Sequence, residues 1–405
     1  MWEEKELGNI EFIPEPSDYR ILSAADSATI GHQEGWRGEV LGWAPTPVPV
    51  VSKPRRLRQR VISTGFFLVL IMILWAVWRS QLLFIEIPPP KSEWAFEDSG
   101  ARDLQALGYT GDGIRVCMVD TGIDPSHSDL ESIDLVFKDF ISGSNEISDK
   151  GSLAHGTMMA GILVSNGYLK GVAPGVKLGM AAALGDDGNG GNSGDQNVVA
   201  SAIEWCWKTF QANIISLSLG GESDPNATSE GPTSNAVKQA IANGVYVVAA
   251  AGNDGGTDDD GRVATPSDVP EVISVGALDV NGDIWEGSSI GYNSDIDSEF
   301  YDDPHKKPEI SAPGVSIVST AFANEYYSST GTSDATVFVT GILALILEAE
   351  PNLISPSSDC LSQVKTALMN SAVPLQDGTE HDSRWGYGAI DGKEWLDEIQ
   401  STVAC

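Results

Sequence analysis

Residues 114–120 read IRVCMVD. Arg115 aside, the run is apolar through Val119, does not alternate with polar residues, and stops at an acid. A strand with one wet face alternates; a strand covered on both faces does not. The run therefore predicts a strand buried on both sides. Four further runs share the pattern: KLGMAAAL (177–184), NIISLSLGG (213–221), GVYVVAAAGN (244–253) and EVISVGAL (271–278). Between them lie helix patterns, HGTMMAGILVS (155–165), QNVVASAIEWCWKTF (196–210) and SNAVKQAIANG (234–244), the last stopped by Gly244. Strands of this kind joined by helices predict a three-layer α/β fold, a mainly parallel sheet flanked by helices. In such sheets chemistry collects at the C-terminal strand ends. The residues just after each apolar run are therefore the ones to read.

The chain has 405 residues and a net charge of −33. Most of the imbalance lies after residue 94, where 46 acidic side chains face 14 basic ones. Such a surface repels phosphates and excludes nucleic acid as a partner. Hydrated carboxylates suit a soluble domain in a saline exterior, and equally an acidic extracellular enzyme without a salt requirement. There are four cysteines and no CxxC pair to suggest zinc. Cys117 sits in a strand pattern and Cys206 in a helix pattern, which predicts buried thiols. Cys360 and Cys405 flank the C-terminal region and could pair outside the cell.

VISTGFFLVLIMILWAVW (61–78) carries no charge over 18 residues. A span needs roughly 20 mostly apolar residues, and Arg79 can snorkel. Lys53, Arg55, Arg56, Arg58 and Arg60 precede it; only Arg79 and Lys91 follow closely. The positive-inside rule then places 1–60 in the cytoplasm and the chain after about residue 80 outside. The expected organisation is a largely disordered cytoplasmic tail (1–60), one N-terminal transmembrane helix (61–78), a linker (79–94) and a catalytic domain (95–405). WAVWRSQ offers no small-x-small site for signal cleavage.

Four candidates stand at strand ends or helix starts. Asp120, in VDTGID, can accept a hydrogen bond from an imidazole N–H and fix its tautomer. His155 opens a helix pattern in HGTMMAG, beside a glycine and a threonine that leave room for another chain segment. Asn253, in AAGND, can donate its amide to a developing oxyanion, worth about 3–4 kcal/mol in such sites. Ser333, in GTSDA, opens the last apolar helix pattern, where the dipole favours negative charge. Each alone reads as ordinary structure: a turn acid, a helix-start histidine, a turn amide, a helix N-cap. An acid, a histidine, an amide and a serine in this order are another matter.

In these residues the chain resembles the subtilases, the subtilisin-like serine proteases, over about 95–395. Their Asp–His–Ser order is a known template rather than a derivation from this chain. GYTGDGIRVCMVDTGID (108–124), GVAP (171–174), SLGG (218–221), VISVGA (272–277), KPEISAPGVSIVST (307–320) and GYGAID (386–391) fall in family order. The resemblance implies that Asp120 orients, His155 is the general base, Ser333 attacks and Asn253 helps bind the oxyanion. It implies peptide or protein substrates lying extended along Ser218, Leu219, Gly220 and Gly221 and the loop 183–194, by β-augmentation. Ala250, Ala251, Gly252 and Ala264 would line the pocket for the residue before the cut, with Asp254 at its rim favouring a basic or polar side chain. No cofactor is expected for catalysis, and the chain is read as a monomer.

Three departures follow. Relatives carry Met after the serine and Pro four residues past it; here stand Asp334 and Val337. An ionised Asp334 about 6 Å from the oxyanion would oppose it by about 3 kcal/mol at a dielectric near 20, a rate loss of roughly a hundredfold. It would also stabilise protonated His155, shift the working pH upward and be relieved in part by salt. Losing the exposed methionine should give resistance to peroxide. Asp129, in HSDL (127–130), matches an acidic ligand of the family's calcium site, yet the loop that completes that site is trimmed, so structural calcium is possible but doubtful there; acidic loops such as TDDDG (257–261) could hold a hard cation elsewhere or simply stand as solvated surface. The 15–20 residues between Trp78 and the protease fold leave no room for an inhibitory prodomain. Competing functions are a catalytically weak or inactive peptide-binding protein, which Asp334 alone favours, and a peptide ligase on the same machinery.

Overall fold

The computed structural model describes Ile62 and residues 64–72, 91–221, 230–257, 259–291, 302–376 and 380–405. The chain divides into two contact units, Met1–Ile87 and Pro88–Cys405. In the first, the described residues are helical, and the apolar side chains from Phe66 to Met72 are exposed. The expected tail, the rest of 61–78 and most of the linker lie outside the described residues.

In the second unit, in chain order, are α1 (Glu93–Asp98), α2 (Ala101–Ala106), β1 (Arg115–Asp120), β2 (Asp134–Asp139), α3 (His155–Val164), β3 (Lys177–Ala182), the ribbon β4–β5 (Gly185–Asp186, Asn192–Ser193), α4 (Gln196–Trp205), β6 (Ile214–Leu217), α5 (Pro232–Ala242), β7 (Tyr246–Ala250), β8 (Ile273–Leu278), β9 (Ile310–Pro313), the hairpin β10–β11 (Ile317–Thr320, Tyr326–Ser329), α6 (Thr332–Ala349), α7 (Ser358–Ser371) and α8 (Gly392–Thr402). Helix α1 starts inside the stretch expected as linker. Seven strands form one sheet in the order β2-β3-β1-β6-β7-β8-β9, and every described pairing in it is parallel.

The sheet order explains where the site lies. Strand β1 sits between β3 on one side and β6 on the other, so the chain's connections diverge from it. That divergence opens a crevice at the C-terminal strand ends. Helix α6 closes the core beneath it: every residue from Thr332 to Leu347 is buried. Its length and apolarity would let it cross a bilayer, but an all-round apolar helix is equally the mark of a core position.

The cysteine expectation is half corrected. Cys360 and Cys405 are bonded, as the sequence allowed. Cys117 and Cys206 are also bonded, not free thiols, with their Cα atoms 5.7 Å apart. The sheet brings the middle of β1 beneath the end of α4, a juxtaposition that 89 residues of separation hide.

Asp129 does not fit a calcium ligand. It is buried, and its oxygens accept hydrogen bonds from Tyr168 N (2.9 Å), Leu169 N (2.8 Å) and the Tyr326 hydroxyl (3.0 Å). The trimmed loop folds directly onto the carboxylate, and its N–H groups do the work a cation would do. Among the described residues no group of three His, Cys, Asp or Glu side chains converges as a metal site. Two buried lysines stand elsewhere in the interior. The buried ammonium groups of Lys307 and Lys365 both lie on Oε1 of Glu309, at 2.8 and 2.6 Å, and both donate to the carbonyl oxygen of Val272.

Candidate active site

Asp120 is the last residue of β1 and is fully buried. Its Oδ1 accepts from Thr121 N and from Nδ1–H of His155, each at 2.7 Å. The carboxylate thereby puts the ring proton on Nδ1 and leaves Nε2 as the basic nitrogen. The approach of α3 to β1 depends on Gly156. A Cβ there would stand 2.2 Å from the carbonyl oxygen of Gly122. The room anticipated beside His155 is filled by the Thr121–Gly122 turn.

A second carboxylate, missed in the sequence, locks this junction. Asp149 accepts from Thr121 Oγ1 (2.6 Å), Gly151 N (2.9 Å), Thr157 N (2.8 Å) and Thr157 Oγ1 (2.7 Å). Thr121 Oγ1 in turn accepts from Gly156 N (2.9 Å). The strand end that carries Asp120 and the helix start that carries His155 are thus tied through one side chain. An acid eight residues before a threonine gives no local signal of this.

Ser333 is the second residue of α6, and the helix is capped by Gly331 without a side-chain bond. The ordinary reading of Ser333 as an N-cap therefore fails. Its backbone N–H belongs to the first turn, whose donors have no intrahelical acceptor. Its hydroxyl donates to the carbonyl oxygen of Ser218 (3.3 Å), while Ser218 Oγ donates to the carbonyl of Ser333 (3.2 Å). Asn253 follows β7, and its Oδ1 accepts from Thr332 N (3.0 Å) and Thr332 Oγ1 (2.8 Å). With the carbonyl end held, the NH₂ end is fixed in orientation and available to an acceptor.

These groups share one cleft of about 610 Å³. His155, Asn253 and Ser333 line it, and so do Ser218, Leu219, Gly220, Gly221, Ala250, Gly252, Asp254 and Ala264. Ala251 does not: it is fully buried, and its carbonyl accepts from Ala264 N (2.6 Å), which fixes one wall. Gly221 is committed through both backbone groups to Thr265, at 3.0 and 2.9 Å, so it cannot pair with an added strand. Only Ser218, Leu219 and Gly220 remain for that. Of the loop 183–194, Leu184 and Asn192 to Gly194 border the cleft. Asp260 and Arg262 also line it and escaped the sequence reading. Asp254 accepts from the hydroxyl of Ser289.

Asp334 differs from expectation. It is not a surface helix-start acid but is 1% exposed, with its Oδ1 accepting from the hydroxyl of Ser329 on β11. Burial pushes its carboxyl up to about 7, against the opposing pull of Ser329 and His155. It therefore carries no full charge against an oxyanion below neutral pH. Ions reach a buried group poorly, so the expected relief by salt does not hold either. At His155, burial opposes protonation, but Asp120, then Asp334 and Asp149, outweigh it and push the imidazole up to about 9.

The Subtilase family profile matches residues 111–388. The chain is similar to subtilisin DY of Bacillus licheniformis, 36% identical over 281 residues, covering 68% of this chain and 90% of that protein. It is also similar to the major intracellular serine protease of Bacillus subtilis strain 168, 36% identical over 68% of this chain and 81% of the other. Serine protease AprX of the same strain is 32% identical over 74% of this chain and 70% of its own. Subtilases need no catalytic cofactor, and structural calcium is typical of them, against which Asp129 stands as described. Fold, sheet topology and these similarities agree: the chain belongs to the subtilase family and is a serine endopeptidase.

Proposed function

We propose that this chain is a membrane-anchored, extracytoplasmic endopeptidase that cleaves peptide bonds with Asp120, His155 and Ser333 and binds the oxyanion with Asn253. The 2.7 Å bond from His155 Nδ1 to Asp120, in a cleft that also exposes Ser333, carries this reading. For attack, the Ser333 hydroxyl must swing about χ1 from Ser218 O to Nε2 of His155. Such bonds are often loose before substrate arrives. Oγ then bonds to the scissile carbonyl carbon while its proton passes to Nε2. The carbonyl oxygen becomes an oxyanion between the Asn253 amide and the Ser333 N–H, with α6 pointing its positive end at it. As the C–N bond breaks, the imidazolium gives its proton to the leaving amine. Water repeats the sequence on the acyl-enzyme, releasing the acid and restoring Ser333. The peptide lies along Ser218 to Gly220, and the chain acts as a monomer.

Anchoring through residues 61–78 is supported by their composition, by the five cations before them and by the exposed apolar side chains of the helical residues 66–72. An outside location for the catalytic part is supported by two disulfides that take up all four cysteines, a pattern of oxidising compartments. A fluorophosphonate probe should label the full-length chain and fail on Ser333→Ala. Protease added to intact cells should remove an epitope at residue 405 and spare one at residue 1. Labelling that survives Ser333→Ala, or the reverse epitope result, would overturn the corresponding half of the proposal.

A further inference from the structure

The end of β6 and the start of α6 are joined by a reciprocal pair of hydrogen bonds. Ser218 Oγ donates to the carbonyl oxygen of Ser333 at 3.2 Å, and Ser333 Oγ donates to the carbonyl oxygen of Ser218 at 3.3 Å. Both residues are buried, yet both line the cleft, as does His155. A hydroxyl carries one proton to donate. While that proton lies on Ser218 O it does not lie on Nε2 of His155, where attack requires it. The carbonyl that holds it has a second claimant. Gly221 is committed to Thr265, so a strand added to this wall pairs with the backbone of Ser218, Leu219 and Gly220. Of these, Ser218 is the one bonded to the nucleophile. The scissile carbonyl must lie on Ser333, so the nearest substrate donor is the N–H of the same residue. That N–H and the Ser333 hydroxyl compete for one acceptor.

We propose that Ser218 is a positioning residue that makes the nucleophile wait for substrate: its carbonyl parks the Ser333 hydroxyl away from His155 until a peptide N–H takes that carbonyl, while its own hydroxyl holds the first turn of α6 against β6. This rests on Ser333 being the nucleophile of the proposed reaction. The exchange involves no covalent change. One O–H···O bond breaks, an N–H···O bond to Ser218 forms, and the freed O–H turns to Nε2. The backbone of Ser333 must stay still while its side chain rotates, because its N–H is to meet the oxyanion. The bond from Ser218 Oγ to the Ser333 carbonyl fixes that backbone. A reagent that reaches Ser333 without pairing to the wall leaves the hydroxyl parked.

The test is the rate at which methanesulfonyl fluoride, which carries no N–H, inactivates the full-length chain in mild detergent. The rate is measured alone and with a peptide N-methylamide. This amide matches a cleaved p-nitroanilide peptide up to the N–H before the cut and ends there in a methyl group, so it supplies a donor to Ser218 O and leaves Ser333 open. At a concentration that saturates its inhibition of peptide hydrolysis, it should raise the inactivation rate about tenfold, on the scale of one hydrogen bond. The N,N-dimethylamide, which has no donor, should not. No acceleration by the N-methylamide, or equal acceleration by both amides, overturns the gate. Ser218→Ala should lower kcat about tenfold with KM little changed, and Ser218→Thr, which keeps a hydroxyl, should restore it. An unchanged kcat in Ser218→Ala overturns the positioning role; should that variant fail to fold, the comparison of amides on the wild type still decides. A chain that neither hydrolyses peptide nor reacts with the sulfonyl fluoride at Ser333 would instead remove the hydrolase reading on which the proposal stands.

Discussion

Breaking the Cys117–Cys206 bond tests both the fold and the compartment. Both residues are fully buried, and the bond closes a loop with a sequence separation of 89. In the chain-entropy account, opening a loop of that length costs about 4–5 kcal/mol of stability. The cost of losing sulfur packing is smaller, about 1 kcal/mol for each atom removed. The two contributions can be separated. In a background with Cys360→Ala and Cys405→Ala, and with Ser333→Ala to prevent self-digestion, guanidinium unfolding is followed with and without dithiothreitol. Reduction leaves both sulfurs in place, so it reports the cross-link alone. The midpoint should fall by the equivalent of about 4–5 kcal/mol, and the denaturant slope should rise because the reduced unfolded chain opens further. Alkylation in denaturant without reductant should find no free thiol. Coincident oxidised and reduced curves, or two alkylated cysteines, would refute the cross-link and restore the simpler reading of two buried thiols. The functional corollary is local. Cys117 lies three residues before Asp120, and α4, which ends beside Cys206, borders the cleft through Gln196 and Val199. Protein that remains folded after reduction should keep its kcat, because the sulfurs fasten the walls without entering the cleft.

Replacing Asn253 with alanine should lower kcat by about 10²–10³, the range established for the corresponding amide in a subtilisin, with KM little changed. Asp129→Ala should destabilise by about 1–3 kcal/mol through its orphaned N–H donors, whereas a calcium chelator should leave the wild-type melting temperature unmoved; a large drop with chelator would place a cation where none is expected. Glu309→Gln should cost about 3–5 kcal/mol by stranding two buried ammonium groups, read by denaturant unfolding. Burial pushes Lys365 down to about 7 although Glu309 pulls it up, so between about 7 and 10.5 the unfolded chain binds more protons than the folded one. Stability from this group therefore rises with pH across that window. His155, raised to about 9, works oppositely: its contribution is full below about 6.5 and is lost as pH rises through 9. The difference between wild type and Lys365→Met isolates the first slope. Activity should withstand peroxide, because Met158 and Met159 are buried and no methionine adjoins Ser333.

What the sequence disclosed and what it hid divide along the range of the interactions. Strands β1, β3 and β6 to β8 were readable because burial on both faces leaves an unbroken apolar run, and their boundaries moved by only a few residues. Strand β2 was not, since DLVFKD is an edge whose residues are mostly half-exposed. Strand β9 was not, since it is four residues ending in Pro313. The four site candidates stood out because each sits at a strand end or helix start that the runs themselves mark. Asp149, Thr332 and Ser329 carry no such mark. Their roles arise from hydrogen bonds to segments the topology brings alongside. Ala251 was misassigned for a related reason: neighbours along a strand end face opposite ways, and only contact with Ala264 shows which faces the cleft.

Asp334 shows why the remaining chemistry had to wait for the fold. Its identity and its place beside Ser333 were plain from GTSDA; its charge was not. Two buried acids make the contrast. Asp139 is 1% exposed, as Asp334 is, but Lys150 lies 2.8 Å from its Oδ2, and Ile141 N, Ser142 N and Ser142 Oγ donate to it. Burial raises both carboxyls, yet at Asp139 the ammonium and the N–H donors overcome it and hold the group well below the usual carboxylate range. At Asp334 one hydroxyl does not, and the group rises to about 7. Both are screened from solvent, but Asp139 lies nearer the surface than Asp334, so a smaller burial cost and more donors together yield the opposite protonation. A charged donor converts a buried acid into a fixed anion, as a structural joint requires. A neutral donor leaves burial the larger influence, and the group rises toward neutrality. The protonation of the acid beside the serine is therefore set in part by the hydroxyl, five residues earlier, that donates to it.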